Sequence, residues 1–226
     1  MLVKVAIIDS GIGPELDANV GARVVLHLAE DGQVQCSAGD RIDSIGHGTA
    51  VASLILATAS RCCLLSAQVF DAGRPTAARV IAAAIDWCVA EGARVINLSL
   101  GLRDDRRVLR ESCLGAISRD VLLVASHPAR GAVTYPAVYP GVLAVTGDIR
   151  CGEGDCSSIE HDRLFGASAM PPNGFSGGGA SYAAARMAGL AAVFFEVHPA
   201  ATTLDFRNYL QAIARFHGRE QRQAVS

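Results

Sequence analysis

The chain has 226 residues, half of them hydrophobic, with charges of both signs scattered along it and summing to −2. That length suits one α/β domain with a substantial core and is short for two. No basic run or basic–aromatic stripe points to nucleic acid, and no apolar run is expected to reach the length that spans a bilayer, so neither is expected as a partner.

The N-terminus, Met-Leu-Val-Lys-Val-Ala-Ile-Ile-Asp, lacks a charged n-region, a long apolar h-region and a small-residue cleavage site. It reads as a strand rather than a signal peptide, and the expected location is the cytoplasm. Residues 3–8 form an apolar run that stops at Asp9-Ser10-Gly11, the pattern of a buried parallel strand. Residues 22–28 predict a second strand. Gly46-His47-Gly48-Thr49 opens a small-residue helix over 50–59, and 63–69 reads as another buried strand. Pro75 suits the first position of a helix running to about Glu91, with Gly92 as its C-terminal cap. Strands follow at 94–99, 121–125 and 142–146, with a surface helix over 106–119. Residues 147–180, rich in Gly, Ser and Pro, predict a long surface loop. Ser181 then opens an apolar helix to about Phe195, and a last helix covers roughly 203–216. Residues 1–217 are read as one domain and 218–226 as a polar tail that frays.

Strands alternating with helices predict a three-layer α/β fold: a mainly parallel, twisted sheet with helices on both faces. Active groups in such sheets gather at the carboxyl ends of the strands, where Asp9 stands. The seven cysteines are expected to be mostly free and buried. Cys151 and Cys156 share a Gly-rich loop and could pair or bind a metal, but the spacing is a weak signal, and no metal or cofactor is expected.

Three segments concentrate chemistry: Val5-Ala6-Ile7-Ile8-Asp9-Ser10-Gly11, Gly46-His47-Gly48-Thr49-Ala50-Val51-Ala52, and Gly179-Ala180-Ser181-Tyr182-Ala183-Ala184-Ala185-Arg186-Met187-Ala188-Gly189. Each alone has a plainer reading, as a turn after a strand, a helix start, or a loop entering a buried helix. Together, in the order Asp, His, Ser, they resemble the three signature motifs of subtilisin-like serine proteases. Val95-Ile96-Asn97-Leu98-Ser99-Leu100-Gly101 resembles that family's substrate-binding strand. Tyr135-Pro136-Ala137-Val138-Tyr139-Pro140-Gly141-Val142 resembles the segment after its oxyanion region.

The resemblance implies a subtilisin-like fold and a catalytic triad of Asp9, His47 and Ser181. A serine hydroxyl needs a base within reach, a histidine supplies one that titrates near neutrality, and an aspartate orients it. Ser99, Leu100 and Gly101 are expected to pair with a peptide substrate as an added strand.

The sequence also departs from the family. His127 stands where the oxyanion Asn is expected, either as a substitute donor or as a plain loop residue beside Pro128. Ala185 replaces a usual Pro, Ala180 a usual Thr, and Arg186 a frequent His. Pro14-Glu15-Leu16 resembles a calcium-ligating segment, but the insertion carrying the other ligands is missing, so no calcium is expected there. No propeptide is apparent, which predicts restraint by narrow specificity, by an activating or inhibitory protein partner, or by low activity. The stretch Asn173-Gly174-Phe175-Ser176-Gly177-Gly178-Gly179 is expected to order on binding.

The expected function is therefore a serine endopeptidase of narrow specificity acting on a peptide or protein, such as a precursor or leader peptide. The alternatives are a pseudoprotease that binds peptides and an acyl-transferring ligase or esterase.

Overall fold

The computed structural model describes residues 2–38, 42–71 and 76–220. Among them ten strands form one sheet: β1 Lys4–Asp9, β2 Val20–Leu28, β3 Val34–Ala38, β4 Cys63–Gln68, β5 Val95–Leu98, β6 Leu122–Ser126, β7 Leu143–Gly147, β8 Cys156–Glu160, β9 Leu164–Ala167 and β10 Phe216–His217. Their spatial order is β10-β8-β9-β7-β6-β5-β1-β4-β2-β3. All neighbours run parallel except the pairs β2–β3 and β8–β9. The helices are α1 His47–Thr58, α2 Ala78–Ala90, α3 Arg107–Ile117, α4 Ala180–Val197 and α5 Thr203–Ile213.

Side chains alternate across a strand, and that alternation builds two cores. Val5 and Ile7 of β1, Val95 of β5, Leu122 and Val124 of β6, and Leu143 and Val145 of β7 pack with α1, α4 and α5. Ala6 and Ile8, Ile96 and Leu98, Leu123 and Ala125, and Ala144 turn the other way, toward α2 and α3. This is the expected three-layer arrangement, and the central strands are apolar on both sides because both faces are covered.

α4 has 18 residues and the apolarity of a bilayer span, contrary to the expectation that no run would reach that length. Its apolarity is explained by its place, packed against β5, β6, β7, β9 and α1 at the centre of the fold.

Several boundaries differ from expectation. The region 147–180 is not one surface loop, for it contains the β8–β9 hairpin. β8 reads Cys-Ser-Ser-Ile-Glu and shows no apolar alternation, yet Ser157 is fully buried because its hydroxyl donates to Asp148 Oδ2 at 2.7 Å. The edge strand β3 was hidden in the same way, since its residues are mostly exposed and polar enough to read as a connection. α2 begins at Ala78, and the Pro75 expected to start it lies outside the described residues.

Gly92 does follow that helix with φ +78°. Its N–H reaches Val89 O and the N–H of Ala93 reaches Cys88 O, the paired bonds of a Schellman cap. α5 ends at Ile213, three residues short of the expectation, and the chain returns to the sheet edge as β10. Gly218 is tied there by bonds to Ser158 and Arg150, while 221–226 of the expected tail lie outside the described residues.

All seven cysteines are free thiols, five of them buried. Burial pushes Cys151 and Cys156 up to about 11, which keeps these thiols protonated and unreactive at neutral pH.

α1 and α4 cross at Gly189, where a Cβ would lie 3.0 Å from Thr58 Cβ and 3.1 Å from the Ile55 carbonyl oxygen. Gly189→Val should therefore force the helices apart and destabilise the fold by about 1–3 kcal/mol, read as a lower urea midpoint at unchanged m-value. An unchanged midpoint would contradict this packing.

Candidate active site

β1 brings the first group. The alternation that sends Val5 and Ile7 toward α1 sends Asp9 the same way. The residue is 1 % exposed, and its side chain accepts the N–H of Ser10 on Oδ1 at 2.7 Å. A carboxylate so buried needs a partner, and His47 supplies one. Its Nδ1 lies 2.7 Å from Asp9 Oδ1 and 2.9 Å from Oδ2. A carboxylate only accepts, so Nδ1 carries the hydrogen, and Nε2 is left as the acceptor of the neutral ring.

The start of α1 is fastened around this contact. Asp43 accepts the N–H groups of Gly46 at 2.8 Å and Thr49 at 2.9 Å, and the Thr49 hydroxyl at 2.5 Å. Thr49 Oγ1 in turn accepts the Gly13 N–H at 2.9 Å, and Ser10 Oγ accepts the Gly48 N–H at 2.9 Å. Gly48 is required by contact, since a Cβ there would stand 2.1 Å from the Gly11 carbonyl oxygen. The helix thus docks onto the turn that follows β1, which fixes His47 relative to Asp9. The Asp9 hydrogen bond is the main influence raising the His47 pKa above 6.5. Burial opposes it, and the charges of Asp9 and Asp43 add to it.

Ser181 enters from the opposite end of the chain, in the first turn of α4, where backbone N–H groups lack helical acceptors. Its Oγ donates to the Ser99 carbonyl at 3.4 Å, and Ser99 Oγ donates to the Ser181 carbonyl at 3.4 Å. Asn97 Nδ2 donates to Ser99 Oγ at 2.8 Å. Asn97 and Ser99 continue the face of β5 on which Val95 meets α4. Among the described residues Ser181 Oγ has no hydrogen bond to His47.

Past Ser99 the chain leaves the sheet, and among the described residues the backbone groups of Leu100 and Gly101 make no hydrogen bonds before Leu102 bridges to Tyr135. An extended peptide can use those groups. Before Ser181, the loop is held by Gly179 N–H donating to Ala169 O and by Arg186, which donates to the carbonyls of Ser168 and Met170.

His127 is not brought to this group. Leu123 and Ala125 face the α2–α3 core, and His127 continues their side of β6. It lines a cleft of about 1140 Å³ with Thr146, Asp148 and Glu160. Its Nδ1 lies 2.8 Å from the Pro128 carbonyl oxygen, which only accepts, so the hydrogen of the neutral ring is committed there. This geometry favours the plainer of the two expectations, a loop residue, because the side of β6 that His127 continues faces α2 and α3.

Two residues near the site went unremarked in the sequence. Asp43 had a readable signal, an Asp three residues before Gly46 and six before Thr49 at a helix start. Tyr182 had none, for an aromatic after a helix start is ordinarily core; its ring stacks on that of His47.

Comparison with known proteins follows the same lines. The subtilase family model matches residues 2–161. Subtilisin BL of Lederbergia lenta is 30% identical over 233 residues, covering 94% of this chain and 83% of its own. M-protease of Shouchella clausii is 29% identical over 94% of this chain, which spans 59% of the relative's length. The solved structure of the prenylagaramide maturation protease PagA superposes with a TM-score of 0.70 at 22% identity, covering 93% of this chain and 82% of its own.

The raised His47 pKa has a consequence for stability. The folded state holds the proton more tightly than the unfolded state, so the His47–Asp9 contact contributes fully below about pH 6.5 and loses its contribution as pH rises through the folded value. The stability difference between wild type and His47→Gln should therefore be larger at about pH 5.5 than at about pH 9. A difference independent of pH, measured by urea denaturation, would contradict the contact.

Proposed function

Because the chain belongs to the subtilase family, we propose that it is a serine endopeptidase in which Ser181 is the nucleophile, His47 the general base and acid, and Asp9 the group that orients His47. The observation that carries this reading is the contact of the buried Asp9 carboxylate with His47 Nδ1 at 2.7 and 2.9 Å. It leaves Nε2 free to take a proton, and it stabilises the imidazolium that forms.

In this reading Ser181 Oγ leaves the weak bond to Ser99 and gives its proton to His47 Nε2 as it attacks the scissile carbonyl. The oxyanion forms beside the N–H groups at the start of α4, that of Ser181 first. His47 then protonates the leaving amine, and water enters by the reverse path to release the acyl group. The peptide lies along Ser99, Leu100 and Gly101 as an added strand. His47 must be neutral to accept the proton, so turnover should rise with pH through its raised pKa.

The substrate we propose is a precursor peptide cut at one position. This rests on analogy with the fold of PagA, which its name describes as a maturation protease. One observation favours a second reading, a peptide-binding module with slow turnover: Ser181 Oγ is bonded to Ser99 rather than to His47.

Peptide-library digestion separates the two. Wild type should cleave within a narrow sequence set, and Ser181→Ala should lower kcat by about 10⁴ or more. Tight peptide binding without cleavage would establish the module instead. His127→Ala should keep activity within about threefold, because the ring faces away from the nucleophile, whereas a loss of about 10²–10³ would restore it as an oxyanion donor.

A further inference from the structure

Tyr182 follows Ser181 directly and is 8 % exposed, packed into the core formed by α1 and α4. Its ring lies 5.9 Å from the His47 ring, centroid to centroid, at an interplanar angle of 22°. That is offset stacking, a preferred geometry for two π systems. Among the described residues no group accepts or donates to its hydroxyl, so the ring's position is set by packing and by His47. The titratable groups that face His47 are Asp9 from β1, Asp43 from the segment before α1, and Tyr182 itself from α4.

Asp9 fixes where Nδ1 points, but two bonds to one nitrogen leave the ring free to rock about the axis they define. A flat neighbour removes that freedom. The stacked face also carries negative quadrupole density, which favours a cation over a neutral ring. The one residue that follows the nucleophile thus touches the base, so the start of α4 sets the positions of both.

We propose that Tyr182 is a positioning residue for His47, whose ring face holds the imidazole in the plane that Asp9 requires and favours its protonated form. This rests on the reading of His47 as the general base. It deepens that reading by coupling the base to the helix that carries Ser181. The aromatic face is what acts, and the hydroxyl contributes nothing.

The test is an NMR titration of the His47 ring in a Ser181→Ala background, where self-cleavage is absent and no activity is required. Tyr182→Leu should lower the His47 pKa by about half a unit, a shift matching the size of such π contacts. Tyr182→Phe should restore it. In the active chain the acid limb of kcat/KM should move to lower pH by the same amount in Tyr182→Leu, with kcat reduced and KM little changed. An unchanged His47 pKa in Tyr182→Leu, or a Phe variant that behaves like Leu, overturns the proposal. Should Tyr182→Leu fail to fold, Tyr182→Met fills the same space without a π face. The ring protons of His47 in the Ser181→Ala protein provide a further check, since stacking requires them upfield of an unstacked histidine. Failure of the endopeptidase reading is distinguishable: the chain would not cleave peptides, yet the pKa comparison would still come out one way or the other.

Discussion

The site depends on one docking contact, that of the first turn of α1 on the turn after β1. Two hydrogen bonds, Gly13 N–H to Thr49 Oγ1 and Gly48 N–H to Ser10 Oγ, and the bare backbone of Gly48 make it, while three bonds to Asp43 brace the helix start. Without it Asp9 would be a buried carboxylate with no counter-group, a costly state. With it the carboxylate has a partner whose free nitrogen faces the site. The same bond makes His47 a stronger base, since the Asp9 contact outweighs the desolvation that would lower its pKa.

The parallel sheet makes that contact possible. β1 lies inside the sheet between β4 and β5 and parallel to both, so the carboxyl ends of three strands open on the same edge. Strict alternation then sorts side chains by face. On β1 it gives Asp9 to the α1–α4 side, and on β5 it gives Asn97 and Ser99 to that same side, where Ser181 arrives on α4. α4 is apolar along most of its length because it fills the core, and its only chemistry is at its N-terminal turn. Core packing and placement of the proposed nucleophile are therefore one property of one helix, and the close crossing at Gly189 ties that helix to the one bearing His47.

Much of this was legible in the residues. Apolar runs ending in Asp9-Ser10-Gly11 and small-residue helices opened by His47 and Ser181 carry their periodicity openly, and the three-layer fold follows from their alternation. What was hidden had physical reasons. β8 is stabilised by a buried serine–aspartate bond rather than by apolar residues, so its sequence reads as loop. His127 stands at the oxyanion position in order along the chain, but order carries no information on strand parity, which here sets it on the side of the cleft. Tyr182 looked like core and is core; only its distance to His47 gives it a further role.

The account stands on an activated Ser181. Intact-protein mass spectrometry after exposure to a fluorophosphonate tests this most directly, since the reagent reacts with a serine only where a base is poised to take its proton. The account predicts one adduct per chain, mapped by fragmentation to Ser181, forming faster as pH rises through the His47 pKa and absent in His47→Ala. No adduct on a folded chain, or labelling that survives His47→Ala at the same rate, would contradict it.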